Sequence, residues 1–465
     1  MAAAGIDRFF QVSARGSTVP RELRGGVTTF VAMAYILLLN PIILGGASDV
    51  TGAQLSVPQL TAMTALSAAI GTLLMGLVGN APMAVAAGLG INAVVAYQAA
   101  PHMLWSQAMG LVVLEGVIII LLAVTGVREL IMNAIPLALK YAITAGIGAF
   151  IALIGMVDAG FISGGGGTVL ALGPGGGGRL TGWPVLIFAF TLVLMVALYV
   201  RRTPGAILIA IVAGTVLTMI VNAFADIKDE AWGLVVPKLP EGVLGLPDFH
   251  LFGQVDLFGG FGRAGFITAL VVLFTLVLSG FFDAMGTIVG LSEEAGTVTE
   301  DGRVPGLGRI LTVDGVTAAL GGITSSSANT VFAESAAGIG EGARTGLANI
   351  VTGLLFTLAL FFTPLASLVP AQAAAPALIV VGALMMSQVG KIDWRDPEMV
   401  IPSFVTIVSM PFTYSITNGI GLGVIAFTVA RTALGRKVAW PLWVISAIFL
   451  LYFFLDPLQR LFGIG

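Results

Sequence analysis

Apolar stretches follow one another from residue 25 to the end of the chain, separated by short polar or Gly/Pro-rich breaks. A helix that crosses the hydrocarbon core of a bilayer needs about 20 mostly apolar residues. The pattern predicts fourteen spans: 25–45, 58–79, 82–97, 104–125, 134–157, 183–200, 204–223, 264–291, 306–322, 328–340, 346–366, 373–388, 399–414 and 417–434. A further apolar run, 440–456, reads either as another span or as an interfacial segment. Residues 1–24 carry Arg8, Arg15, Arg21 and Arg24 without a short apolar run and cleavage site, so they read as a cytoplasmic tail rather than a secretion signal. Strict alternation from an inside N-terminus puts fifteen Lys and Arg inside, from Arg8 to Lys437, and four outside: Arg179, Lys228, Lys238 and Arg263. Charges that merely mark loops would divide evenly, so the bias supports both the span count and the orientation.

The two halves share landmarks. Ile135-Pro136 precedes Gly148 as Val369-Pro370 precedes Gly382, each Pro and Gly twelve residues apart. Later in each half Thr203-Pro204-Gly205 corresponds to Thr417-Asn418-Gly419. Seven spans per half is an odd number, so the second copy must be inverted in the membrane, the architecture of many secondary transporters. The third span of each half is short and interrupted. Residues 80–92 (NAPMAVAAGLGIN) and 324–334 (TSSSANTVFAE) each begin with polar or Pro residues that suit extended backbone, then turn to small-residue helix. Extended backbone at membrane depth survives only inside protein or lining a cavity. Two such strands can pair and satisfy each other's amides, aiming the following half-helices at a substrate. The fold expected is therefore an all-α integral membrane protein, with two broken half-helix spans preceded by short strands.

Composition sharpens this reading. The chain is 57% hydrophobic and 10% charged with a mean hydropathy of +1.03, where soluble chains carry about 25% charge. With 21 Lys+Arg against 24 Asp+Glu there is no basic excess for nucleic acid. No cysteine is present, which excludes disulfides, thiol catalysis and Cys-ligated metals, and two histidines make a poor metal site. No cofactor, no metal and no enzymatic nucleophile–base pair is expected. The Gly-rich loop 164–178 lacks the Lys and Ser/Thr of a phosphate loop and reads as flexible.

Carboxylates inside spans are costly and mark function by default. Asp283 in the eighth span and Glu334 at the strand–helix junction of the tenth are the leading candidates, each far in sequence from any Lys or Arg. The plainer reading is a buried carboxyl satisfied by helix-end amides or hydroxyls. Asp283 stands nearer the inside end of its span than the centre, which requires a long span or interfacial first residues. Glu115, Asp314 and Glu398 weigh less, as partners of polar neighbours or, for Glu398, of a helix dipole. Asn92 suits bidentate hydrogen bonding to a planar ligand, with helix–helix contact as the alternative. His102 and His250 read as surface residues.

The stretches 26–35 (GVTTFVAMAY), 88–93 (GLGINA), 281–287 (FFDAMGT), 328–346 (ANTVFAESAAGIGEGARTG) and 409–419 (SMPFTYSITNG) resemble the AzgA-like purine permeases, a branch of the xanthine/uracil permease (nucleobase–cation symporter) superfamily. The likeness runs from about residue 8 to 456. It implies core halves at 25–125 and 264–366, gate halves at 126–223 and 367–434, an outer loop at 224–263 and a C-terminal apolar segment at 435–465. It also implies proton-coupled import of adenine, guanine or hypoxanthine across the plasma membrane by a multi-pass protein with a cytoplasmic N-terminus. The partners implied are the purine, the proton and the lipid bilayer, with no nucleic acid and a homodimer left open. By the resemblance, Glu334 contacts the base, Asp283 binds substrate and couples the proton together with Glu334, and Asn92 matches the third-span asparagine of this branch. Thr287 stands where uracil-type relatives carry histidine, and Gly90, Ala333 and Ala34 approach the ligand through backbone or small side chains. An anion transporter or a xanthine/uracil transporter on the same fold is the alternative, and two carboxylates facing the site argue against an anion.

Overall fold

The computed structural model of the chain describes residues 2–125, 135–165, 168–225, 227, 232, 235–237, 242–299 and 304–454. Arg128, Lys228, Lys238 and Arg303 of the charge count, and the segment beyond residue 454, lie outside the described residues. Before the long loop the helices are α1 (Ala2–Phe10), α2 (Val19–Met33), α3 (Ile36–Gly45), α4 (Val57–Leu74), α5 (Leu89–Val94), α6 (Trp105–Thr125), α7 (Leu137–Asp158), α8 (Trp183–Val200) and α9 (Ala206–Ala225). After it come α10 (Gly259–Arg263), α11 (Phe266–Glu294), α12 (Leu307–Ile323), α13 (Ser335–Gly340), α14 (Gly346–Ala359), α15 (Ala371–Ala374), α16 (Pro376–Met386), α17 (Pro397–Phe412), α18 (Ile416–Ala433) and α19 (Trp440–Phe453). The strands are β1 (Val85–Ala87), β2 (Ile162–Gly165), β3 (Thr168–Leu172) and β4 (Asn329–Val331).

Among the described residues, ten helical stretches are long and apolar enough to cross a membrane. The other four segments read from the sequence coincide with α12, α17 and the two broken stretches around β1 and β4, all shorter. The helix carrying Asp283 is indeed long: α11 has 29 residues, about 44 Å of helix, and Asp283 lies seventeen residues after its start and eleven before its end. The apolar run after residue 440 forms the 14-residue helix α19.

The centre of the molecule is a two-stranded antiparallel ladder made from the two halves. Val85 faces Val331, Ala86 faces Thr330 and Ala87 faces Asn329. Two more amides extend it, Phe332 N–H to Ala84 O and Gly88 N–H to Ala328 O, both 2.9 Å. The stretch leading to each strand is pinned by an asparagine of another helix. Asn349 of α14 donates to Ala81 O and Met83 O at 2.9 and 2.7 Å, and Asn40 of α3 donates to Ser326 O at 2.9 Å. These side chains supply what a helix would supply internally, which is how extended backbone is tolerated at this depth. Gly321 makes the second crossing fit, since a Cβ there would stand 1.9 Å from Ser327 O.

The repeat landmarks of the sequence meet in space. A Cβ on Gly148 of α7 would stand 2.5 Å from Gly382 O of α16, and one on Gly382 would stand 2.4 Å from Gly148 O. The two matched glycines thus touch backbone to backbone where the matched helices cross. One local expectation is corrected. The Gly-rich loop contains the hairpin β2–β3, pairing Ile162 with Leu172 and Ser163 with Ala171. The run Thr168 to Leu172 begins with two β-branched residues, Thr168 and Val169, which favour the strand β3.

Candidate functional site

Where β1 and β4 end, the chain opens onto a cavity of about 530 Å3, within the size range of small-molecule sites. One wall is built by the strand ends and their half-helices: Gly88, Leu89 and Gly90 on one side, Thr330 to Glu334 on the other. α11 adds Asp283, Met285, Gly286 and Thr287, while α7 and α16 supply the facing wall through Tyr141, Thr144, Val381 and Met385. The cavity continues to Glu293, Gln388 and Lys391. Lys391 lies over the Tyr141 ring, 5.3 Å from its centroid.

Glu334 holds the N-cap position of α13, three residues past the last residue of β4. Tyr35, in the interruption between α2 and α3, donates its hydroxyl to Glu334 Oε1. Asp283 reaches the same cavity from α11, with Thr287 one turn further along the same helix face. Two carboxyls, a phenol and strand-end amides thus converge on one space. Such a set can bind a small planar ligand by its polar edge, with Gly88, Gly90 and Ala333 leaving room for a ring.

Five of the seven residues expected from the sequence line this cavity: Glu334, Asp283, Thr287, Gly90 and Ala333. Asn92 does not. It is fully buried behind the wall, where its Nδ2 donates to Asn40 Oδ1 at 2.6 Å and Asn40 in turn donates to Thr64 Oγ1. Ala34 is buried too, and its neighbour Tyr35 reaches the cavity instead. Tyr35 has a sequence signal, a lone phenol in a small apolar span, but spacing alone does not say that the helix breaks there. Glu398 stands apart, held by Arg431 at 2.5 Å and by Arg436. His102 and His250 are exposed.

Away from the cavity lining, the first broken span meets α18 and the turn before it. Gln98 Oε1 accepts from the Thr417 N–H at 3.0 Å and from the Thr417 hydroxyl. Tyr97, Phe150 and Tyr414 stack edge to face at centroid distances of 5.3 to 6.4 Å. None of these five residues lines the cavity; they form a separate contact between the first broken span and α7 and α18.

Comparisons with known proteins agree with this architecture. The model of the Permease family, Xan_ur_permease, matches residues 21–463. The guanine/hypoxanthine permease PbuG of Bacillus subtilis is 37% identical over 459 residues, covering 96% of this chain and 98% of its own. The adenine permease AdeP of Escherichia coli is 36% identical over 435 residues, covering 93% and 91%. Among solved structures, the transmembrane domain of the cyanobacterium bicarbonate transporter BicA shares the fold at a TM-score of 0.60, with 18% identity, covering 89% of this chain and 96% of that one. The chain is a multi-pass membrane protein of the Permease family, Xan_ur_permease.

Proposed function

We propose that this chain imports purine nucleobases (adenine, guanine or hypoxanthine) by proton symport with alternating access. The observation that carries this reading is the convergence of Asp283, Glu334 and Tyr35 on one cavity at the ends of two paired strands. A neutral purine offers ring and exocyclic N–H donors, which a carboxylate accepts with charge-assisted strength. Relatives whose names give guanine, hypoxanthine or adenine as cargo align over nearly the whole chain. Glu334 holds the base, with Thr287, Gly90 and Ala333 around the ring. Asn92 and Ala34 act from behind the wall, Asn92 by fixing Asn40 and so the approach to β4. Asp283 carries a proton while substrate binds and gives it up on release; with Glu334 it forms a pair whose titration belongs to both.

Alternating access has a mechanical form here. Residues 25–125 and 264–366 form the core that carries the strands, and 126–223 with 367–434 form the gate. Fourteen spans arranged as two inverted sevens place the N-terminus, Glu293 and Lys391 on the cytoplasmic side of the plasma membrane. The conformation described is then inward-open, with the Gln98–Thr417 contact and the Tyr97–Phe150–Tyr414 rings as the closed outer gate. The meeting of Gly148 with Gly382 supports the two-fold relation between the halves.

The test is uptake of radiolabelled hypoxanthine, guanine and adenine into cells lacking their own purine permeases. Saturable uptake abolished by a protonophore, and lost in Glu334→Gln and Asp283→Asn, is the expected result. Uptake that ignores the protonophore overturns the proton coupling; uptake of uracil, xanthine or bicarbonate in place of purines overturns the substrate class.

A further inference from the structure

Two carboxyls outside the cavity have no role in the reading above. Glu115 lies ten residues into α6, is fully buried, and neither of its carboxyl oxygens has a hydrogen-bond partner. Asp314 of α12 is 1% exposed, and its Oδ1 is also without a partner. The residues following them show how close the helices run. A Cβ on Gly116 would stand 2.6 Å from Gly315 O, and one on Gly315 would stand 2.9 Å from the Ile120 amide nitrogen. The α6 and α12 backbones are in contact at Gly116 and Gly315, the residues directly after the two acids. Glu115 also leans on α11, where a Cβ on Gly280 would meet its Oε1 at 2.4 Å, one turn before Asp283. Asp314 faces the Val331 amide of β4.

Nothing nearby neutralises the pair. Of the described elements packed on α6 and α12, α4, β1, β4 and the turns 75–79 and 95–99 bring no charged side chain, α10 brings Arg263 and α11 brings Asp283. Arg263 and the remaining charged groups on these elements, Glu293, Glu294 and Arg309, are exposed at helix ends. Arg309 precedes Asp314 by five residues, about 7.5 Å along the axis and on another face. Two ionised carboxylates in this setting would face both desolvation and mutual repulsion. Buried polar atoms without partners call for a proton, a water or an ion.

We infer that Glu115 and Asp314 share one proton that stays in the protein, Glu115 donating it to Asp314, and that this bond holds β4 and Glu334 in register. The proton is structural rather than transported, so the proposal stands apart from the transport reading. Glu115 and Asp314 are positioning residues. α12 packs directly on β4, where Asn329 donates to Thr317 O at 3.1 Å, and Glu334 follows three residues after the strand ends. Loss of the proton leaves two adjacent anions, which part and release the strand.

The test uses the full chain purified in nanodiscs, with no substrate. Infrared spectra in H2O and D2O report the C=O band of protonated carboxyls, and thermal unfolding is followed from neutral to alkaline pH. Glu115→Gln removes one component of that band, because the amide donates to Asp314 without titrating. Asp314→Asn keeps the component, shifted, and instead loses one carboxylate. Both substitutions move the alkaline loss of Tm upward by at least about one pH unit, because neither leaves two anions. An unchanged C=O region in Glu115→Gln overturns the proposal, as does a wild type with no protonated-carboxyl band. A wild-type Tm that rises with sodium at constant ionic strength, with the rise lost in either variant, overturns it in favour of a bound cation. The wild-type spectrum and sodium titration decide the matter even where a variant fails to fold.

Discussion

The two broken spans, 80–99 and 324–340, make one ladder yet divide its work. Each is pinned on its approach by one asparagine, Asn349 for the first and Asn40 for the second. Each then contributes three strand residues. Three residues past the last strand residue they differ: the first half has Gly90, the second Glu334. A Cβ on Gly90 would stand 2.9 Å from Ile147 Cγ2 of α7, on the facing wall. Glu334 takes a hydroxyl from Tyr35 and faces the cavity. At this position one half therefore supplies close packing and the other a carboxyl. A second acid at the Gly90 position would add a like charge to a cavity that already holds Asp283 and Glu334.

The largest expected effect comes from removing the charge. Glu334→Gln should lower kcat/KM for purine uptake at least about 100-fold, because hydrogen bonds to a charged group contribute ~1.5–3 kcal/mol each and a purine edge offers more than one N–H donor to a carboxylate. Tyr35→Phe leaves the carboxylate and removes one donor, so KM should rise about tenfold, near 1.4 kcal/mol. Gly90→Ala tests the other half. Its new Cβ would stand 2.9 Å from Ile147 Cγ2, a methyl on a stiff β-branch, so α5 and α7 must part slightly; the maximal rate should fall about two- to tenfold with KM less affected. A KM effect at Gly90 as large as that at Tyr35 would show that both halves bind the ligand equally, and would break the comparison.

The pins should weigh on stability more than on transport. Asn349→Ala removes two bonds to Ala81 O and Met83 O, and Asn40→Ala removes the bond to Ser326 O and strands Asn92. Each should cost ~1–3 kcal/mol, read as a lower Tm of the purified protein. Asn92→Ala should fall at the lower end of that range with KM nearly unchanged. A large KM shift with unaltered Tm would instead make Asn92 a ligand contact, as the family resemblance implies.

Much of this was legible from residue order alone. Polar or Pro residues followed by small ones mark a broken span whatever surrounds it, and so the strands and Glu334 could be located. Gly148 and Gly382, singled out by their equal spacing from Pro136 and Pro370, meet where α7 and α16 cross. What could not be read was facing. Asn92 lies two residues from Gly90, and in a helix that is enough to turn one toward the cavity and the other away. Tyr35 sits at a helix break with no Pro or Gly to announce it, so nothing in the spacing separates it from Ala34. Spacing gives depth along a helix, whereas the direction a side chain takes depends on how neighbouring helices pack.

The weakest expected effect concerns how each broken span hands over to the next helix. In both halves a carboxylate takes amides at the start of that helix, where the dipole favours it. Buried Glu22 accepts from Arg344 N–H and Thr345 N–H at 2.8 and 3.3 Å, beside the start of α14. Asp49 accepts from Thr51 and Ala53 at 2.6 to 3.1 Å and from Trp105 N–H at 3.4 Å, at the start of α6. Glu22→Gln should therefore lower Tm more than Asp49→Asn. Partial burial pushes the Asp49 carboxyl upward, but the bonds from Thr51, Ala53 and Trp105 outweigh it and hold the group below the usual carboxylate range. A lowered folded-state value means that its stabilisation is complete above the unfolded value of about 3.9 and is lost as pH falls through the folded value. The wild type should thus lose its advantage in Tm over Asp49→Asn only below about pH 4. A gap between the two that closes at neutral pH would mean that Asp49 does not hold α6, and that only the second half is clamped by charge.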